Sequence, residues 1–220
     1  MRKILKILIV GLITCKSFVG FSQEVTSFYF SEPQPSSFSQ IDEFDSTHFG
    51  VYRLEGQKHT KLIIKKDSII VRSLIAFEIT MDEVNANDSY YIKDGLLYGI
   101  APVGLYFRED DGTLLVALNQ SELFCSPKEN NIKRDGNTYY INNKTKEGRW
   151  RTLVLDVDNE QLAIFDLDHD LSMKQVEKMS PLKEHDEDMM VYIATPTDKQ
   201  FFSLCKSKGY QSEPVIYNKD

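Results

Sequence analysis

The chain has 220 residues and a mass of 25.4 kDa, enough for one generous domain with its own hydrophobic core. Hydrophobic residues are 41% and charged residues 27% of it, close to globular averages, which excludes wholesale disorder; eleven glycines without a period exclude collagen-like repeats. Net charge is −7 overall, and −11 once Arg2, Lys3, Lys6 and Lys16 of the first 22 residues are set aside, a field that repels DNA and RNA.

Residues 1–22, MRKILKILIVGLITCKSFVGFS, open on basic Arg2 and Lys3 and continue into an apolar stretch from Ile7 to Thr14. That stretch is far short of the ~20 apolar residues of a bilayer-spanning helix. Gly20 and Ser22 stand at the −3 and −1 positions if cleavage precedes Gln23, so the segment resembles the signal peptide of an exported bacterial protein. The expected location is therefore periplasmic or extracellular, with no transmembrane span in the mature chain. Leu12-Ile13-Thr14-Cys15 loosely resembles a lipobox, which makes lipid anchoring at Cys15 the alternative, although Thr14 replaces the usual small residue.

Residues 23–47 are polar, with two prolines and four serines in SEPQPSSFSQ, and read as an arm that includes one strand over 25–30. The core is expected to begin near Phe49, in a single β-rich domain over 48–220. Short β-type segments then follow at 49–54, 62–66, 68–72 and 74–80. Next come 90–93 and 96–100 around Asp94-Gly95, and 105–107 and 113–118 around Asp110-Asp111-Gly112. The series closes with 137–142, 150–157 and 161–167. Asp-Gly between alternating segments is a strong hairpin signal, because both residues tolerate positive φ. The expected fold is mainly β, an antiparallel meander forming a barrel or sandwich.

Two short helices interrupt the late chain. Ser172 and Gln175 fit a capping box, with a stop before Pro181. A second helix over 196–208 is expected to open at Pro196, to place Phe201, Leu204 and Cys205 on one face, and to cover a barrel end or an open seam. Strands are expected at 190–194 and 213–217.

Candidate chemistry is sparse. Asp166, Asp168 and Asp170 alternate around His169 at a strand end, the hard-oxygen arrangement that calcium takes; zinc is the alternative if His169 and His185 join Glu184 and Asp186. The tract lacks the glycine and distant glutamate of a calcium loop, and a solvated strand end accounts for it equally. His48 and His59 stand at a strand start and a turn. Cys125 and Cys205, 80 residues apart, read as two separately buried thiols, with a disulfide between them the alternative in an oxidising compartment. The Lys61–Lys66 run reads as a solvated strand edge, and the sequons at Asn87, Asn119 and Asn143 carry no weight behind a bacterial-type signal. There is no nucleophile elbow, Walker loop or dinucleotide fingerprint.

Gly50-Val51-Tyr52 opens the first core strand, and Trp150 is the one tryptophan. With the meander and the late helix, the Gly-x-aromatic pair resembles small lipocalin-like barrels, in which such a motif packs against a basic residue at the closed end. The resemblance implies a barrel and carries over no ligand residues. The expected function is an exported, non-catalytic binding or interaction protein of a bacterial envelope, holding a small apolar ligand or another envelope protein. The alternative is a metal-assisted hydrolase built on Asp166–Asp170.

Overall fold

In the computed structural model, residues 26–158, 160–166, 177–179, 181–186, 189–206 and 214–220 are described. Alternating and β-branched segments form fifteen strands. These are β1 (Thr26–Phe30), β2 (Gly50–Leu54), β3 (Thr60–Ile64), β4 (Ile69–Thr80), β5 (Tyr91–Lys93), β6 (Leu96–Tyr98), β7 (Leu105–Asp110) and β8 (Thr113–Cys125). The rest are β9 (Asn131–Asp135), β10 (Thr138–Lys144), β11 (Trp150–Val157), β12 (Gln161–Phe165), β13 (Leu182–Asp186), β14 (Met189–Ala194) and β15 (Val215–Lys219). Helix α1 (Met81–Ala86) follows β4, and α2 (Asp198–Lys206) follows β14. The fold is mainly β, as the strand pattern predicts. Both residues of Asp94-Gly95 and of Asp111-Gly112 have positive φ, the type I′ geometry whose twist matches the flanking strands.

The strands form one large sheet that does not close. From β9 it runs through β10, β11, β12, β15, β2, β3, β4, β8, β7 and β6 to β5, and it branches at β11, where β1, β14 and β13 are added. The pattern is not antiparallel throughout: β1 runs parallel to β14, which follows it by more than 150 residues. The inner faces of β2, β3, β9–β12 and β15, with the near ends of β4 and β8, enclose the first core, around Tyr52, Leu62, Ile132, Tyr139 and Leu155.

The residues expected to form a polar arm are built into this core. Gln40 bridges to Lys133, the Ile41 N–H donates to the Ile132 carbonyl at 2.8 Å, and the Phe44 N–H donates to the Lys66 carbonyl at 2.9 Å. Residues 40–44 therefore span the opening between β9 and the β3–β4 turn, and Phe44 is fully buried edge-on to Tyr139. The core begins well before Phe49, and it is this segment that lies over the opening expected for the late helix. Upstream, the Lys133 ammonium donates to the carbonyls of Pro33 and Pro35 at 2.9 and 2.6 Å. Asn142 pairs with both backbone groups of Gln34. Serine and proline masked these anchors in the sequence, because the groups that hold them are backbone carbonyls.

Helix α2 covers the opposite face of β10 and β11. Its cap is Thr197 with Gln200, each side chain bonding the other's backbone N–H, so it begins two residues later than a helix opened by Pro196. Phe201 and Leu204 are fully buried against Phe28, Phe30, Tyr140 and Val154 in a second core, as their spacing predicts. The helix expected from Ser172 lies outside the described residues.

Strands β4 and β8 continue past both cores. The segments expected at 68–72 and 74–80 are one 12-residue strand, paired along its length with a 13-residue β8 that extends through polar Asn119–Glu122. That polar stretch hid the strand, since a ribbon facing solvent needs no apolar alternation. At the far end, α1 and β5–β7 pack on the ribbon around Val84, Leu97, Leu105, Leu114 and Val116, a third core that forms a separate lobe. Thr80 and Glu83 close a full capping box on α1, a helix that the strand-dominated pattern concealed.

Candidate interaction surface

Side chains alternate across a strand, so the third core can claim only one face of the lobe. Phe77, Ile79, Leu114, Val116, Phe107, Leu105 and Leu97 take the inner face. The register places the next residues on the outer face: Glu78 opposite Leu115, Ala76 opposite Ala117, Leu74 opposite Asn119 and Arg108 opposite Leu115. On β6, Leu96 pairs with Tyr106 and Lys93, and Tyr98 with Tyr91. This face is open to solvent and still apolar. Tyr106 is 79% exposed, Tyr91 54%, Leu115 38% and Leu74 36%.

Two details show how the surface is held. Tyr91 and Tyr98 stack with centroids 5.1 Å apart and planes within 7°. Tyr98 lies so close over Gly104 that a Cβ there would come within 2.7 Å of its ring, so a larger residue at 104 would displace the tyrosine. Between Leu74 and Leu115, the exposed pair Ala76–Ala117 forms a low floor. The lobe is also strongly acidic: eight acidic and two basic residues lie between Leu74 and Asn119, a net −6. Expectation from sequence passed over these positions as ordinary strands. TLLVAL and LIAFEI are apolar on both faces, the pattern of strands buried on both sides, although only one face is packed.

The residues singled out for chemistry are dispersed or undescribed. Asp166 is ion-paired with Arg151; Asp168, His169 and Asp170 lie outside the described residues. Glu184 is held by Arg149 at 2.6 Å, and His185 sits on β13. Among the described residues, no group of three His, Cys, Asp or Glu is placed to hold a metal. His59 is exposed in a turn, whereas His48 is buried. Its Nδ1 lies within hydrogen-bond distance, 2.8 Å, of the Tyr139 hydroxyl, whose oxygen also accepts the Asp45 N–H. Burial, then Arg134, lowers the His48 pKa; bonds from Thr47, then Arg134, hold the Asp45 carboxyl far below the usual range. The cluster is fully engaged in joining the turn at Ser46–His48 to β10.

Cys125 and Cys205 are both free, in different cores. Cys205 lines a groove of about 400 Å³ beside α2 with Tyr140, Val154 and Phe202, but burial pushes its thiol up to about 12, which keeps it protonated and non-nucleophilic. Among the described residues, no helix is long and apolar enough to cross a membrane. Of the basic runs, Lys61 and Lys66 are engaged by Asp220 and Glu43, respectively. No family model, curated protein or solved structure matches this chain.

Proposed function

We propose that the chain is an exported, non-catalytic interaction protein of a bacterial envelope, and that it docks another envelope protein through the outer face of its β4–β8 lobe. One observation carries this reading: a projecting sheet, packed on one side only, presents Tyr106, Leu115, Leu74 and Tyr91 to solvent on the other. Tyrosine set among aliphatic side chains is the composition of protein interfaces. A protein partner fits better than a small apolar ligand, because Tyr52, Tyr139, Leu62 and Ile132 fill the interior that the curled sheet encloses.

The test is cross-linking in intact envelopes of the source cell, with a photo-reactive residue at position 106 or, as control, at position 182 on β13. The expected result is one discrete cross-linked protein from position 106, lost when Leu115→Lys is added. Equal adducts from both positions, or none from 106, would overturn the reading.

A further inference from the structure

The outer face of the lobe has a shape and a charge that together specify its partner. Its floor is the Ala76–Ala117 pair; Leu74 and Leu115 flank the floor one step along each strand, and the register carried on from Phe107–Val116 sets Tyr106 beside Ala117. Small residues ringed by larger ones take a protruding apolar side chain. Around this centre stand exposed carboxylates: Glu78 on the face itself, Asp110 at the end of β7, and Asp94 and Asp111 in the two hairpin turns. Lys93 and Arg108, the two cations between Leu74 and Asn119, also stand on this face, whereas Asp82 and Glu83 belong to α1 and Glu109 pairs with Leu114 on the packed side; the four carboxylates around the floor therefore leave the face at −2 within a region that totals −6.

Resting on the interaction reading above, we infer that the occupant of this face is a protein surface with an apolar knob at its centre and lysine or arginine at its rim. A second copy of this chain fits poorly, because self-association would set two faces of net negative charge against each other. Anionic membrane is repelled by the same field. A cationic rim instead gains from every carboxylate around the floor, and long-range attraction speeds its encounter. The apolar centre then sets the lifetime of the complex.

The test uses the ¹⁵N-labelled chain in its exported form and two synthetic twelve-residue probes, one alternating lysine with leucine and one alternating glutamate with leucine. The expected result is that the lysine probe shifts outer-face amides between residues 74 and 119, weakens at least tenfold from low to high salt, and binds at least tenfold more weakly to Leu115→Lys. Leu182→Lys, on the far edge strand, should bind as wild type does. Thermal melts check that Leu115→Lys is folded; Tyr106→Ser, at the most exposed position, replaces it if it is not. Equal binding of the glutamate probe overturns the basic-partner inference and leaves the interaction reading standing. So does a dimer in sedimentation equilibrium that Leu115→Lys dissolves, or preferential binding to phosphatidylglycerol vesicles. Shifts confined to residues outside the lobe, or no binding of either probe, overturn both.

Discussion

His48 shows what burial does to a single side chain. Its folded pKa is lowered from the ordinary 6.5, first by burial and then by Arg134, so the folded chain refuses a proton that the unfolded chain accepts. The stability this brings is complete above about pH 6.5 and is lost as pH falls from there through the lowered folded value. Melting temperature should accordingly fall between pH 7.5 and 5.5, and His48→Gln should flatten that slope. An unchanged slope would mean that another group controls it. The neighbouring hydroxyl is a second case. Tyr139→Phe strands the Asp45 N–H and His48 Nδ1 without their partner, at a cost of about 1–3 kcal/mol in denaturant unfolding. Gly99 is the third: its φ is +94°, and a Cβ would stand 1.9 Å from the Ser89 carbonyl oxygen. Because the obstacle is backbone, no rotamer relieves it. Gly99→Ala should raise amide exchange across β5–β7 while β10 and β11 stay protected.

At the scale of elements, α2 is nine residues long and too short to persist without packing. It is held by Phe201, whose ring meets Phe30 at 5.7 Å and Tyr140 at 5.5 Å, both edge-to-face. Phe201→Ala should cost about 3–5 kcal/mol, read as a large drop in melting temperature. A nearly unchanged midpoint would instead make α2 a detachable lid. Elements were legible where local chemistry decided them. Asp94-Gly95 and Asp111-Gly112 announced their hairpins through backbone freedom alone, and Phe201 and Leu204 announced a buried helix face through spacing. Strand β9 and the far half of β8 were not legible, since Asn131, Lys133, Asn119 and Ser121 have no strand preference and are strands only because a neighbour supplies the ladder.

For the molecule as a whole, charge and export are one argument. If residues 1–22 are removed, four cations go with them and the negative field deepens. Under the proposed export, mass analysis of the chain recovered from the periplasm or medium should show Gln23 as its first residue. A lipid-modified start at Cys15 would place the protein on a membrane face instead. The field is unevenly spread, concentrated on the lobe that carries the exposed apolar face, and this coincidence gives that face an electrostatic sign as well as a shape.

Sequence by itself determined the class of fold, the hairpin turns and the apolar face of α2, because each depends on residues close in the chain or on composition summed over it. Tertiary structure alone decided that Phe28, Phe30 and Phe44 of the polar arm are core, since their neighbours Tyr139, Tyr140 and Phe201 lie more than ninety residues away. It also decided the candidate surface. Leu74, Leu115 and Tyr106 sit in strands indistinguishable by pattern from buried ones, and what sets them apart is that nothing else in the described chain packs over that side of the sheet. Whether an apolar residue is core or interface depends on what lies across from it, and a linear pattern of side chains does not encode that.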